Sequence, residues 1–107
     1  GLTVHGFPGY ETGIPLPTLA DILDGRKPPA NTAAVRVDML PGSKWRYSGG
    51  GTTLMQLLIQ DVTGKPFPDF MRDMVLKPAE MRQSGYHQPL PESRTSHAAS
   101  GHDREGK

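Results

Sequence analysis

Glycine and proline interrupt this chain throughout, and they limit how much regular secondary structure it can form. The 107 residues include 13 glycines and 11 prolines. Because these residues end helices and strands, much of the chain must be loop or turn. Long irregular connections are uncommon in a compact domain unless they are functional or supported by another part of the protein. We therefore interpret the sequence as a piece of something larger, whose independent folding is marginal.

Two segments have the apolar periodicity of α-helices. The first runs from about Gly51 to Thr63, and Gly64 is its natural stop. In the second, apolar residues recur at helical spacing from Phe67 to Val75, and Pro78 ends the segment. The apolar stripe of the first helix comprises Leu54, Leu57, Leu58 and Val62. Since only a short turn separates the two helices, we predict that they pair as an αα-hairpin.

A capping box predicts a third, shorter helix. The Thr18 hydroxyl can accept an otherwise unpaired amide of the first turn, and Asp21 can reach back to the cap residue. This pattern predicts a helix from about Leu19 to Asp24, and Gly25 is its expected stop.

The remaining segments are expected to be less regular. Residues 35–39 alternate apolar and polar, which is typical of a short strand or extended segment. Residues 1–17 show neither helical nor strand period, and residues 26–29 contain two prolines, so both read as loop or turn. From residue 83 to residue 107 the chain is polar, and we predict loop or disorder there.

Charge and hydropathy exclude two classes of partner. The chain has 12 basic and 11 acidic residues without long runs of one sign, so we expect no nucleic-acid partner. The longest apolar run, Leu57-Leu58-Ile59, is far shorter than the roughly 20 residues of a membrane span. We therefore expect no membrane-spanning segment in this chain.

The metal-binding residue types are few and scattered. There is no cysteine, and none of the four histidines forms the i, i+4 helical pair or the close Cys/His spacing of a zinc site. We predict no metal site and interpret His5, His87, His97 and His102 as solvated loop residues.

The turn before the first long helix is the strongest candidate for chemistry. It places Tyr47 directly before Ser48 and three consecutive glycines, at the start of the apolar helix. The glycines leave no side chains beside Tyr47 and allow positive φ or close approach to a ligand. A general base could therefore sit at Tyr47. The structural alternative is a tyrosine that packs its ring at a helix start and bonds its hydroxyl to backbone.

These motifs resemble the middle of the serine β-lactamases and penicillin-binding-protein-like hydrolases, including class C β-lactamases and family VIII esterases. The similar residues are Pro41-Gly42, the Tyr47 turn, a Leu-rich helix ending Val62-Thr63-Gly64, and the Pro78 turn. The resemblance spans roughly residues 35–86. It implies that residues 1–107 are a mostly α part, the helical subdomain, of an α+β β-lactamase/transpeptidase-like fold.

The same resemblance implies roles for the residues of the turn. Tyr47 would take the proton of a nucleophilic serine and later hand it to the leaving group. Ser48 and Gly49 would bind substrate. Gly49 stands where many members carry an asparagine that contacts the acyl amide of the substrate. The lack of this asparagine weakens the case for β-lactam hydrolysis and leaves esterase or peptidase activity more open.

The nucleophile itself is absent from this sequence. No serine is followed three residues later by lysine, and there is no Lys-Thr-Gly motif for the opposite wall of the site. We interpret the chain as a central fragment, inactive alone, of a hydrolase that forms an acyl-serine intermediate. Its substrate would be a small-molecule ester, amide or β-lactam, and no cofactor is needed.

Two other interpretations remain open. The chain could be a non-catalytic helical module that binds a partner, or a degenerate relative of these hydrolases. Met71 and Met74, with Met55 nearby, read as core residues that become exposed when the rest of the protein is missing. We therefore expect the fragment to self-associate through apolar patches. The sequence does not indicate a compartment.

Overall fold

A computed structural model describes residues 1–11, 13–102 and 104–106. Thr12, Asp103 and Lys107, for which loop was predicted, lie outside the described residues. The helices are α1 (Leu19–Asp24), α2 (Gly49–Thr63), α3 (Phe67–Met71), which continues as a π-helical segment (Arg72–Leu76), and α4 (Glu92–Thr95). The chain divides into two compact units, Gly1–Phe67 and Pro68–Lys107.

The capping box and α1 form as predicted. The Thr18 hydroxyl accepts the Asp21 amide at 3.1 Å, and the Thr18 amide donates to the Asp21 carboxylate at 3.2 Å. The hydrogen bond from the Thr18 hydroxyl is also the main cause of a lowered pKa at Asp21. Gly25 ends the helix at φ 65°, in the left-handed region. In this unit α1 packs against α2.

Helix α2 begins earlier than its apolar pattern indicates. Ser48 is the N-cap, and its hydroxyl accepts the Gly51 amide at 3.2 Å, so the glycines are already helical. The predicted end is confirmed, because Gly64 has a φ of 65° and its amide bonds to the Gln60 carbonyl.

The second predicted helix also forms, and it changes its hydrogen-bond pattern before Pro78. The Lys77 amide donates to the Arg72 carbonyl at 2.9 Å, five residues back, which is the π-helical pattern. The boundary between the two units falls at Phe67, where α3 begins. The pairing of α2 and α3 as a hairpin stays a prediction.

Residues 35–39, predicted as a short strand or extended segment, form no regular strand. Among the described residues there is only one isolated antiparallel bridge, between Leu2 and Val37. Val4, two residues beyond the bridged Leu2, has a φ of 61°, which is outside extended geometry. The polar tail contains one regular element, the single turn of α4, which begins after Pro91.

Few apolar side chains of the described residues are buried. The buried ones are Ala30, Val35 and Leu76. Much of the stripe predicted as the inner face of α2 lies on the surface of the chain, and Val62 is 76% exposed. The exposed apolar residues of α2, which we call the outer stripe, are Leu54, Met55, Leu58 and Val62. An apolar helix face normally packs against other parts of a protein, so the exposed outer stripe is what a helix cut from a larger protein would show.

The two helix-ending glycines allow a matched test of the packing behind α1. Both have φ 65°, but a Cβ at Gly25 would lie 2.4 Å from the Ala34 amide nitrogen, whereas one at Gly64 meets nothing within 4 Å. We expect Gly64→Ala to cost about 1 kcal/mol for the left-handed backbone. Gly25→Ala should cost at least about 1 kcal/mol more, because backbone atoms must move. Urea unfolding followed by circular dichroism measures both, and equal losses would contradict the close approach.

Candidate active site

Tyr47 lies at the surface of its unit, directly before the N-cap of α2. Its side chain is 58% exposed. None of the hydrogen bonds within the described part of the chain involves its hydroxyl, so the alternative of a phenol bonded to backbone does not hold there. The ring instead contacts the imidazole of His5, with 4.9 Å between ring centroids and a 46° tilt between planes. The phenol is therefore free to meet a group outside this unit.

The segment at residues 3–5 closes onto the first turn of α2 and holds this geometry. Each of three successive residues at the helix start donates a hydrogen bond to a carbonyl of that segment. These bonds are Ser48 hydroxyl to Thr3 at 2.8 Å, Gly49 amide to His5 at 2.9 Å, and Gly50 amide to Val4 at 3.1 Å. The first amides of the helix, which have no partner within a helix, are thus satisfied inside the chain.

Gly49 and Gly50 allow the segment at residues 3–5 and Val35 to approach the helix start. The sequence suggested instead that the three glycines allow positive φ or close approach to a ligand. Gly49, Gly50 and Gly51 are helical, and none has positive φ. A Cβ at Gly50 would lie 2.8 Å from both methyl groups of Val35 and 2.9 Å from the Thr3 carbonyl oxygen. The close approach that glycine permits here is to the chain itself, where the sequence suggested a ligand.

The polar groups of Ser48 and Gly49 are also bonded within the chain. The Ser48 hydroxyl both donates to Thr3 and accepts from Gly51. A Cβ at Gly49 would lie 3.1 Å from the His5 carbonyl oxygen, so an asparagine at this position would require a small shift of the neighbouring segment.

His5 is the residue of this site that sequence reasoning missed. It was interpreted as a solvated histidine, and it is indeed exposed, but its ring lies against Tyr47 and its carbonyl accepts the Gly49 amide. No local spacing could have revealed this, because the two rings come from segments more than 40 residues apart.

The cation nearest in sequence to Tyr47 already has a partner. The Arg46 guanidinium contacts the Asp38 carboxylate at 2.6 Å. A tyrosine can act as a base near neutral pH only when a cation stabilises its phenolate. Because Arg46 is paired with Asp38, that cation would have to come from another group.

The described residues show neither a metal-binding cluster nor a membrane-spanning helix. They contain no cluster of three or more histidine, cysteine, aspartate or glutamate side chains that could hold a metal ion. None of their helices is both long and apolar enough to span a membrane.

Alanine substitutions at adjacent glycines test the contact that positions Tyr47. Gly50→Ala should destabilise the chain by about 1–3 kcal/mol through overpacking against Val35 and Thr3. Gly51→Ala is the matched control, because its Cβ would meet only a Leu2 methyl at 3.8 Å. It should stabilise α2 by roughly 0.5–1 kcal/mol through helix propensity. Thermal unfolding compares the two, and a Gly50→Ala protein as stable as Gly51→Ala would refute the contact.

Comparison with known proteins identifies the family. No curated protein and no solved structure is significantly similar to the chain. The sequence model of the Beta-lactamase family, by contrast, matches residues 5–107. The match includes the whole Tyr47 turn and nearly the entire chain, so the resemblance seen in the sequence is confirmed. The chain belongs to the β-lactamase family.

Proposed function

We propose that this chain is the helical part of a serine hydrolase in which Tyr47 is the general base. The observation that carries the proposal is the exposed phenol of Tyr47. Contacts within the chain build the helix start beside it, and the chain belongs to the β-lactamase family. The serine would come from polypeptide outside these 107 residues, since the Ser-x-x-Lys motif is absent.

The proposed chemistry follows from the phenol. Tyr47, as phenolate, takes the proton of the serine hydroxyl while the serine oxygen attacks the carbonyl carbon of the substrate. The leaving group departs with the proton from Tyr47, and an acyl-serine ester remains. Water then attacks that ester by the same proton route. By the resemblance to this family, the cation that supports the phenolate would be the lysine of the absent motif.

Ser48 and Gly49 keep a substrate-binding role in the proposal, with a restriction. Their polar groups are bonded to the segment at residues 3–5 and to the first turn of α2. We therefore expect substrate to touch them by packing along the backbone at Gly49, without a side-chain amide. This favours small-molecule esters, amides or D-amino-acid peptides as much as β-lactams.

The outer stripe has a place in the same proposal. Leu58 is 59% exposed and Met55 is 58% exposed. In the intact hydrolase, the rest of the protein would cover these side chains. The pairing of α2 with α3 remains part of the same proposal. In isolation the exposed side chains would drive self-association.

The exposed outer stripe also favours a second candidate function, a non-catalytic module that binds a partner through α2. This candidate needs no nucleophile elsewhere and assigns Tyr47 no chemistry. The two functions differ in whether a longer form of the protein reacts covalently with an acyl-serine probe.

Covalent labelling tests the proposed role of Tyr47. The 107-residue chain should not react with a fluorescent phosphonate probe for acyl-serine enzymes, whereas a protein extended in both directions should label at a serine. In the extended protein, Tyr47→Phe should slow labelling by roughly 10²–10⁴-fold, the usual size of a general-base contribution.

Tyr10→Phe is the matched control for that experiment. The Tyr10 hydroxyl accepts a hydrogen bond from the Asn31 amide within the chain, so it should affect labelling little. Equal rates for the Tyr47→Phe and parent proteins would remove Tyr47 from the chemistry. Labelling of the short chain at one of its own serines would refute the requirement for an external nucleophile.

A further inference from the structure

The second unit contains a cavity lined by basic side chains that the proposed hydrolase chemistry does not use. Its volume is about 230 Å³, and its charged or ionisable lining residues are His87, Arg94 and His97. Both histidines were interpreted as solvated loop residues, and both are exposed. The fold also brings them to one open cavity with an arginine. No carboxylate belongs to the described lining.

Gly85 shows that two of these groups converge. A Cβ added at Gly85 would lie 3.2 Å from His87 Nδ1 and 3.5 Å from Arg94 Nη1. Both nitrogen atoms therefore lie on the side of Gly85 that the missing side chain leaves open. A small ligand in the cavity that these residues line could contact the imidazole and the guanidinium together.

Arg94 is held in place by the surrounding backbone. Its amide donates to the Pro91 carbonyl at 2.8 Å, and its Nη1 donates to the Gln83 carbonyl at 3.3 Å. An arginine carries five N–H donors, so the bond to Gln83 leaves donors for a ligand. The side chain is half-buried, which reduces the entropy lost when it binds.

We propose that this cavity binds a small tetrahedral oxyanion, such as a phosphate or sulfate group. Guanidinium and imidazolium groups form charge-assisted hydrogen bonds to such oxygens. The volume is below the roughly 300–1,000 Å³ of sites for drug-sized ligands, so it suits a group of this size. A metal ion fits less well, because Arg94 places a cation beside the two histidines. The proposal does not depend on hydrolase activity.

A nuclear magnetic resonance titration of the 107-residue chain tests the site. Inorganic phosphate, sulfate and glycerol phosphate are added separately at constant ionic strength, with chloride as the reference anion. We expect saturable shifts confined to residues around Gly85, His87 and Arg94. Comparison of free phosphate with glycerol phosphate distinguishes a site for the free ion from one for a phosphate ester.

Two variants and one control decide the assignment. Arg94→Gln should weaken binding at least tenfold. Gly85→Ala should also weaken it, because the added Cβ would lie 3.2 Å from His87 Nδ1 and displace the imidazole. Gly101→Ala is the control, because its Cβ meets nothing within 4 Å, and it should bind like the parent. Unchanged resonances outside the cavity show that a variant folds. If Gly85→Ala does not fold, Arg94→Gln alone still tests the site. Shifts equal to those with chloride, or full binding by Arg94→Gln, would overturn the proposal.

Discussion

The hydrogen bonds between residues 3–5 and the first turn of α2 are the interaction on which the rest of the first unit depends. A helix start leaves amides without partners, and here the carbonyls of Val4 and His5 accept two of them. The Ser48 hydroxyl accepts the next amide and donates to Thr3. This arrangement sets the point at which the helix begins, and Tyr47 precedes that point. It also brings the His5 ring against the phenol.

The first unit buries little apolar surface, so little hydrophobic stabilisation is available to it. Ala30 and Val35 are its buried apolar residues in the described part of the chain, and Val35 packs against Gly50. The exposed face of α2 carries the outer stripe of apolar side chains. The local contacts thus define the position of Tyr47, whereas the proposed catalytic centre needs groups from outside the chain. Because local contacts suffice to build the Tyr47 turn, the chain keeps this turn of the β-lactamase family although it buries few apolar side chains.

Features set by neighbours in sequence could be predicted, and features set by distant segments could not. The cap at Thr18 and the stops at Gly25 and Gly64 follow from residues within one helical turn. The contact of Gly50 with Val35, and that of His5 with Tyr47, join segments far apart and leave no periodic signal. For the same reason, alternation at residues 35–39 could not decide between a strand and an extended segment, because pairing there depends on the distant residues 2–4.

The closure of residues 3–5 onto α2 has a consequence for the order in which the protein is made. The Ser48 hydroxyl and its acceptor at Thr3 are 45 positions apart. Joining the ends of a flexible loop of that length costs about 3 kcal/mol in chain entropy. On the ribosome, the early segment emerges well before the helix that it will contact. Until then the α2 amides that its carbonyls accept are missing, so native order at Tyr47 must follow the synthesis of α2.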